Sequence, residues 1–135
     1  VSLGRGTEFP FQVYGHPQMT GYDFSFTPQP VAGAMNPPHK GNLCYGVDLR
    51  VSPSDDIIRA NGFNLEYVID AYRNLNENTG IGDAFFTNYF DTLVGVGYVR
   101  EMILRGEDAA FIAECWQEDL EAFKTKRKNY LIYPE

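Results

Sequence analysis

The residues best suited to chemistry lie in the first seventeen positions, which read VSLGRGTEFPFQVYGHP. Arg5, Glu8 and His16 are placed there among three glycines. Two prolines exclude a continuous helix, because proline lacks an N–H and its ring clashes with the preceding turn. Glycines let a ligand approach the backbone closely, as binding loops require. We therefore predict that residues 1–17, called the opening segment below, form a functional loop.

Each charged side chain of the opening segment has two interpretations. Arg5 can clamp a carboxylate or phosphate through paired hydrogen bonds, or it can form a structural ion pair with Glu8. Glu8 is the carboxylate candidate for acid–base catalysis, but a neighbouring arginine favours its ionised form and hence a positioning role. His16 is either a general base or part of a turn. The predicted substrate-binding residues are Arg5, Gly6, Thr7 and His16.

No second catalytic group is selected by the sequence. A glycosidase needs two carboxyl groups on either side of the bond it cleaves. Asp48, Asp55 and Asp56 are available as partners of Glu8, and their positions do not distinguish among them. The chain contains no G-x-S-x-G, P-loop or G-x-G-x-x-G motif. The residues alone therefore predict a polar loop site on an α/β scaffold.

Composition limits the classes of protein and partner. With 135 residues, of which 44% are hydrophobic, the chain has enough apolar area for one domain, residues 1–135. A net charge of −7 argues against nucleic-acid and anionic-membrane partners, which bind basic surfaces. No run of eighteen apolar residues is present, so we expect no membrane span.

Metals and cofactors are not expected. The chain has two histidines and no zinc-binding spacing of Cys and His. Cys44 and Cys115 form no CxxC pair, and their spacing leaves open whether they form a disulfide. Cys115 is predicted to be a small buried side chain on a helix face.

The start of the chain suggests a piece of a longer protein. It begins at Val1 without a methionine and shows no signal peptide, and its first residues read like the middle of a domain.

Periodicity predicts strands early in the chain and helices late. This order favours an α+β or open α/β domain, with helices packed on a small β-sheet. The longest helix, which is amphipathic, is predicted near the C-terminus. The predicted elements are strands over 22–27 and 43–51, a turn region over 52–62, a helix from 65 to about 76, a helical turn near 83–93, a helix from 99 that ends at Gly106, and a long helix from the N-cap Asp108 to about 126. The tail, residues 129–134, either forms a final short strand or packs across the sheet edge.

Three central stretches have alternative interpretations. Residues 28–42, called the Pro-rich loop below, contain four prolines and two glycines, as a binding loop or a flexible segment does. In the strand that follows, Gly46 allows another backbone or a ligand to approach. Asp48 and Arg50 either form an ion pair or point into a polar crevice. The aromatic cluster around Phe85 is either core or a carbohydrate platform.

Four stretches together resemble the C-terminal domain of the exo-β-N-acetylmuramidases, or NamZ-like proteins, long described as a domain of unknown function. They are GRGTEFPFQVYGHP, FSFTPQP, CYGVDLR and KRKNYLIYP, in this order. The resemblance extends from Ser2 to Pro134, and the residues of these stretches are similar to those of Bacteroidetes-type proteins.

The resemblance implies a two-domain glycosidase that is secreted or periplasmic. Its members release N-acetylmuramic acid from the ends of peptidoglycan fragments, in a cleft between a Rossmann-like N-terminal domain and a domain like this one. The implied catalytic glutamate belongs to the N-terminal domain, which this chain lacks, so we expect the chain alone to be inactive. Arg5 would contact the lactyl carboxylate of a muropeptide. The alternative is a non-catalytic peptidoglycan-binding or structural domain.

Overall fold

The computed structural model describes residues 1–51 and 63–133. The predicted turn over 52–62, with Asp55 and Asp56, lies outside these residues. Contacts divide the chain into two compact units, Val1–Phe85 and Phe86–Glu135, and each is described by itself. The first unit contains a small antiparallel sheet and the second is helical, so the predicted α+β class is confirmed.

The sheet of the first unit has three strands in the order β1-β3-β2. They are β1 (Val13–His16), β2 (Phe24–Phe26) and β3 (Cys44–Asp48), and both pairings are antiparallel. The opening segment contains β1, and the Pro-rich loop connects β2 to β3. Both loops are therefore attached to the same three strands.

A pair of glycines leaves no room for a side chain between β1 and β3. Gly15 of β1 lies opposite Gly46 of β3, which in turn faces Phe24 of β2. A methyl group on Gly46 would collide with the Tyr14 carbonyl and lie 2.6 Å from the Gly15 Cα. The expected close approach at Gly46 is thus that of another backbone.

Strand β1 was not predicted, because two prolines and the glycines made all of residues 1–17 look like a loop. Between those prolines, however, Val13 and Tyr14 are both buried, on opposite faces of the sheet. Ser2 extends the pairing, since it exchanges two backbone hydrogen bonds with Gly15, of 2.8 and 3.0 Å. Burial on both faces outweighs the local loop signals.

Apolar side chains cover both faces of this sheet. One face carries Val13, Phe26 and Cys44, with Phe9 and Phe24 against them. The bulky side chains of β2 thus cover the side of β3 that carries Cys44 and Gly46. On the other face of β3, Tyr45 is exposed and Val47 packs against the second cluster, which consists of Tyr14, Met19, Ala71 and Leu75.

Helix α1 (Glu66–Thr79) contributes Ala71 and Leu75 to the second cluster. The helix itself was predicted from its periodicity. The Asn64 side chain accepts a hydrogen bond of 2.8 Å from the Glu66 N–H, which satisfies one of the free donors at the helix start. Gly80 ends the helix with φ of +65°, in the left-handed conformation typical of a C-terminal glycine. The helix ends three residues later than predicted.

The second unit consists of four described helices. They are α2 (Phe90–Val94), α3 (Tyr98–Leu104), α4 (Ala109–Cys115) and α5 (Gln117–Arg127). Their buried side chains are Val99, Met102, Ile103 and Ile112. As predicted, Asp108 caps α4, since its carboxylate accepts from the Phe111 N–H at 2.8 Å.

The predicted long C-terminal helix is interrupted once. Trp116, with φ of −98° and ψ of −1°, separates α4 from α5. Cys115 is exposed rather than buried as predicted. Of the side chains of α4, Ile112 is the one that is buried. Both cysteines are free thiols. The predicted tail strand is wrong within the described residues, where a 3-10 helix, Lys128–Tyr130, precedes three exposed side chains.

The aromatic residues predicted as one cluster belong to separate groups. Phe85, at the end of a 3-10 helix (Gly82–Phe85), packs edge-on against Tyr72 with ring centroids 5.5 Å apart. Phe86 contacts Phe90 in the second unit, with centroids 4.6 Å apart. Phe85 contributes to the core of the first unit, as one of the two interpretations predicted.

We predict that Gly46→Ala unfolds the first unit more easily, by about 3 kcal/mol, because the new methyl group would force β1 and β3 apart. Denaturant unfolding of the variant measures this loss. Gly97→Ala is the matched control, since Gly97 has a φ of −83° and open space around it. Equal stability of the two variants would contradict the close-approach interpretation.

Candidate functional site

A cavity of about 360 Å³ lies between the opening segment and the Pro-rich loop. One wall carries Arg5, Gly6 and Thr7, which were predicted to bind substrate, together with Pro10 and Phe11. The other wall is the tip of the Pro-rich loop, residues 31–34. The structure therefore brings three of the four predicted binding residues into one concave site.

Gly6 fixes the two loops against each other. Its carbonyl accepts a hydrogen bond of 2.8 Å from the Gln29 N–H. A methyl group on Gly6 would lie 2.5 Å from the Gln29 carbonyl oxygen and 2.7 Å from the Pro37 ring. Its φ of +87° is in the region that favours glycine. The Pro-rich loop of the chain itself thus makes the close approach to the backbone of Gly6.

The tip of the Pro-rich loop is a self-contained turn. Val31 and Ala34 exchange backbone hydrogen bonds of 3.3 and 2.9 Å, and Gly33 between them has φ of +83°. This glycine occupies the third position of the turn, where a positive φ is required in a type II turn. The tip thus presents small side chains toward the cavity.

Arg5 is the charged group of the cavity. Its guanidinium donates to the Gly33 carbonyl at 3.4 Å, across the space between the loops. Among the described residues, no ion pair joins Arg5 to Glu8, so the structural-pair interpretation does not hold. Glu8 is exposed and is not among the residues that line the cavity. A cation at this position is available to an anionic ligand group.

The Thr7 hydroxyl holds the loop in shape. It donates to the Gly4 carbonyl at 2.6 Å and accepts from the Phe9 N–H at 3.2 Å. These two bonds form a tight turn over residues 4–9, which directs the Arg5 side chain into the cavity. Thr7 therefore positions the loop whatever else it contacts.

His16 lies outside this cavity, at the end of β1, and packs against His39 of the Pro-rich loop. The two rings are edge-on, with centroids 4.3 Å apart, and the Gln18 N–H donates to His16 Nδ1 at 3.1 Å. Burial, and then the neighbouring His39, lower the pKa of His16 to about 4, and burial also lowers the pKa of His39. His39 is half-buried by this contact.

Asp48 and Arg50 form the ion pair that was one of their two interpretations. The guanidinium donates to both carboxylate oxygens, at 2.8 and 2.7 Å, and the hydrogen bonds lower the pKa of Asp48. The same guanidinium lies over the Phe9 ring, 4.0 Å from its centroid. This contact holds the opening segment against the sheet.

Sequence reasoning missed the carboxylate that joins α1 to the sheet. Asp70 Oδ2 accepts hydrogen bonds of 2.7 Å from the hydroxyls of both Tyr14 and Tyr22. Burial, and then the bond to Asp70, raise the pKa of each tyrosine. The signal was present as polar residues four positions apart on one helix face, namely Asp70, Asn74 and Asn78.

Asn74 and Asn78 hold the connection between β1 and β2. The Asn74 amide accepts from the Thr20 N–H at 3.0 Å and donates to the Thr20 carbonyl at 2.9 Å. Asn78 donates to the Gln18 carbonyl at 3.0 Å. The connection that follows His16 is therefore fixed by side chains of α1.

Neither a metal centre nor a membrane span emerges from the described residues. Within 1–51 and 63–133, no three side chains of His, Cys, Asp or Glu are grouped to hold a metal ion. Among the helices of the same residues, none has the length and apolar character that crossing a bilayer requires.

The chain belongs to the family of NamZ C-terminal domains. The family model described as "Exo-beta-N-acetylmuramidase NamZ, C-terminal" matches residues 1–133, so the resemblance seen in the four stretches of the sequence is confirmed.

Two relatives show how much of a longer protein such a domain represents. The chain is 29% identical over 98% of its length to the peptidoglycan β-N-acetylmuramidase NamZ of Bacillus subtilis (strain 168), of which it covers 34%. The crystal structure of a DUF1343 family protein from Bacteroides fragilis NCTC 9343 superposes on all of it, with 53% identity and a TM-score of 0.92, and the chain covers 37% of that protein. The chain spans about a third of either relative.

We predict that acidification destabilises the first unit through His16. The unfolded chain holds this imidazole at its ordinary pKa of 6.5, whereas the folded state lowers the pKa to about 4. Between these values the unfolded chain binds the proton and the folded state does not. The stability that neutral His16 contributes is therefore present above pH 6.5 and lost as the pH falls toward 4.

Denaturant unfolding from pH 7 to pH 4.5 tests this prediction. His16→Gln should flatten the pH dependence, and Gln18→Ala, which keeps the backbone donor to the imidazole, should not. An unchanged pH dependence in His16→Gln would show that other groups cause it.

Proposed function

We propose that this chain is the C-terminal part of an exo-β-N-acetylmuramidase and that its cavity binds a terminal N-acetylmuramic acid residue. Family membership and the glycosidase named among its relatives support the reaction class. The observation that carries the binding role is Arg5 in the cavity between the two loops, directed toward the Gly33 carbonyl rather than paired with a carboxylate.

The proposed ligand matches the cavity in charge and size. N-acetylmuramic acid differs from N-acetylglucosamine by a lactyl carboxylate, and a guanidinium is the side chain best suited to a carboxylate. A cavity of about 360 Å³ is within the range of small-molecule sites. Arg5 would hold the carboxylate, and the small residues at the tip of the Pro-rich loop would leave room for the sugar.

The catalytic acid of the proposed enzyme would come from the part of the protein outside this chain. Glu8 is exposed and away from the cavity, so it is a poor candidate for the acid. The cavity would form one wall of a cleft whose other wall is an N-terminal domain of the same protein. A peptidoglycan substrate implies a periplasmic or secreted location for the complete enzyme.

Exposed apolar side chains of the second unit support a partner surface of this kind. α5 buries none of its side chains, although Leu120 and Phe123 are on it, and 60% of Phe123 is exposed. The residues after α5 add Tyr130, Ile132 and Tyr133, all exposed. Soluble proteins rarely expose so many large apolar groups on one short segment without a partner.

The non-catalytic alternative is favoured by one observation. Both walls of the cavity belong to the first unit, so this chain carries a complete lining without a second domain. A complete protein that binds muropeptides but releases no N-acetylmuramic acid would establish a glycan-binding module in place of the enzyme.

Arg5→Ala in the complete protein tests the binding role. With a chromogenic aryl β-N-acetylmuraminide, we expect KM to rise or kcat/KM to fall by at least about 10-fold, since hydrogen bonds to charged groups contribute about 1.5–3 kcal/mol. Arg5→Lys keeps the charge but not the paired geometry and should retain part of the activity.

The matched N-acetylglucosaminide, which lacks the lactyl carboxylate, provides the control substrate. The effect of Arg5→Ala should be confined to the muraminide. Unchanged kinetics, or an equal loss on both substrates, would rule out the proposed contact.

The partner surface has a test of its own in the complete protein. Phe123→Ser should lower the free energy of unfolding by about 2 kcal/mol if another part of the protein covers this ring. Lys126→Ser on the same helix should change it by less than about 0.5 kcal/mol. Similar small effects of both substitutions would show that the ring faces solvent.

A further inference from the structure

We propose that Phe11 is a stacking platform for the pyranose ring of the sugar that Arg5 holds. This inference rests on the proposed function of the cavity and adds a second binding residue to it. The Phe11 ring carries no charge, and its predicted contribution is to pack against the apolar face of the sugar.

Phe11 lies on the rim of two neighbouring cavities. It lines the cavity that contains Arg5, and it also lines an apolar cavity of about 370 Å³ next to it. Its side chain is 68% exposed, although both Val13 and Tyr14 shortly after it are buried. The ring is therefore not a core residue and is accessible to a ligand from the side of Arg5.

The backbone holds this ring in an unusual orientation. Phe11 has φ of +64°, a left-handed conformation that bulky residues rarely adopt. Its N–H donates to the Leu3 carbonyl at 2.7 Å, and the Gln12 N–H that follows donates to the Phe9 carbonyl at 3.2 Å. Glycine would adopt this turn without strain, so folding alone does not account for an exposed phenylalanine here. Strained residues of this kind are concentrated at functional sites.

The two side chains together fit an amphipathic ligand. A pyranose ring presents C–H groups on one face, and such a face packs on a flat aromatic ring as other apolar groups do. A carboxylate attached to the same sugar would then reach the guanidinium on the same wall of the cavity. Neither side chain alone would distinguish a muramic sugar from other acids or other sugars.

The test uses the complete protein and the chromogenic aryl β-N-acetylmuraminide. Phe11→Ala should raise KM about 10-fold with little change in kcat, since the ring binds substrate without taking part in bond cleavage. Phe11→Tyr keeps the flat ring and should restore KM to within about 2-fold of the natural protein. Gln12→Ala, an exposed neighbour, is the control for a general disturbance of the loop.

Phe11→Gly separates the ring from its backbone. Glycine removes the ring but relieves the left-handed strain, so its thermal unfolding temperature should equal or exceed that of Phe11→Ala. Its KM should nevertheless rise as much as that of Phe11→Ala. This combination of a stable fold and weak binding is not expected of a merely structural residue.

The outcomes separate this inference from the function on which it rests. An active natural protein whose KM is unchanged by Phe11→Ala would overturn the stacking role and leave the proposed function intact. A lower unfolding temperature of Phe11→Ala with unchanged KM would assign the ring to contact with another part of the protein, which also overturns the inference. Absence of muraminide binding and cleavage by the natural protein would overturn the proposed function itself.

Discussion

The close approach of two backbones at Gly15 and Gly46 is the constraint on which the first unit depends. β3 lies between β1 and β2, and the opening segment and the Pro-rich loop, which are attached to these outer strands, meet at the hydrogen bond between Gly6 and Gln29. The opening segment reaches the cavity from β1, and the Pro-rich loop reaches it from β2. A wider separation of the strands would move the loops apart, and the hydrogen bond between Gly6 and Gln29 would be lost.

Different groups hold the opening segment in place and face the cavity. Backbone groups and the Thr7 hydroxyl fix the loop, the Asp48–Arg50 pair and Phe9 hold it on the sheet, and Arg5 remains directed at the cavity. Of the side chains named here, Thr7 and Phe9 are therefore used by the structure, and Arg5 is the one that faces the cavity.

Patterns that depend on neighbours in sequence were predictable, and contacts between distant segments were not. The periodicity of α1 and the cap at Asp108 are local, and both predictions are confirmed. Strand β1 was missed because its burial comes from partners elsewhere in the chain. For the same reason, sequence could not show that His16 would meet His39, or that Arg5 would face Gly33 rather than Glu8.

The turn at residues 31–34 shapes the cavity but takes no part in the pairing of the sheet. Val31 and Ala34 exchange the backbone hydrogen bonds that close the turn, and only Gly33 has a positive φ there. Ala32 is exposed and outside the strands, so a larger side chain at that position would narrow the cavity without altering the pairing of the sheet. Substitutions at this tip can thus change the shape of the cavity while the strands of the first unit keep their pairing.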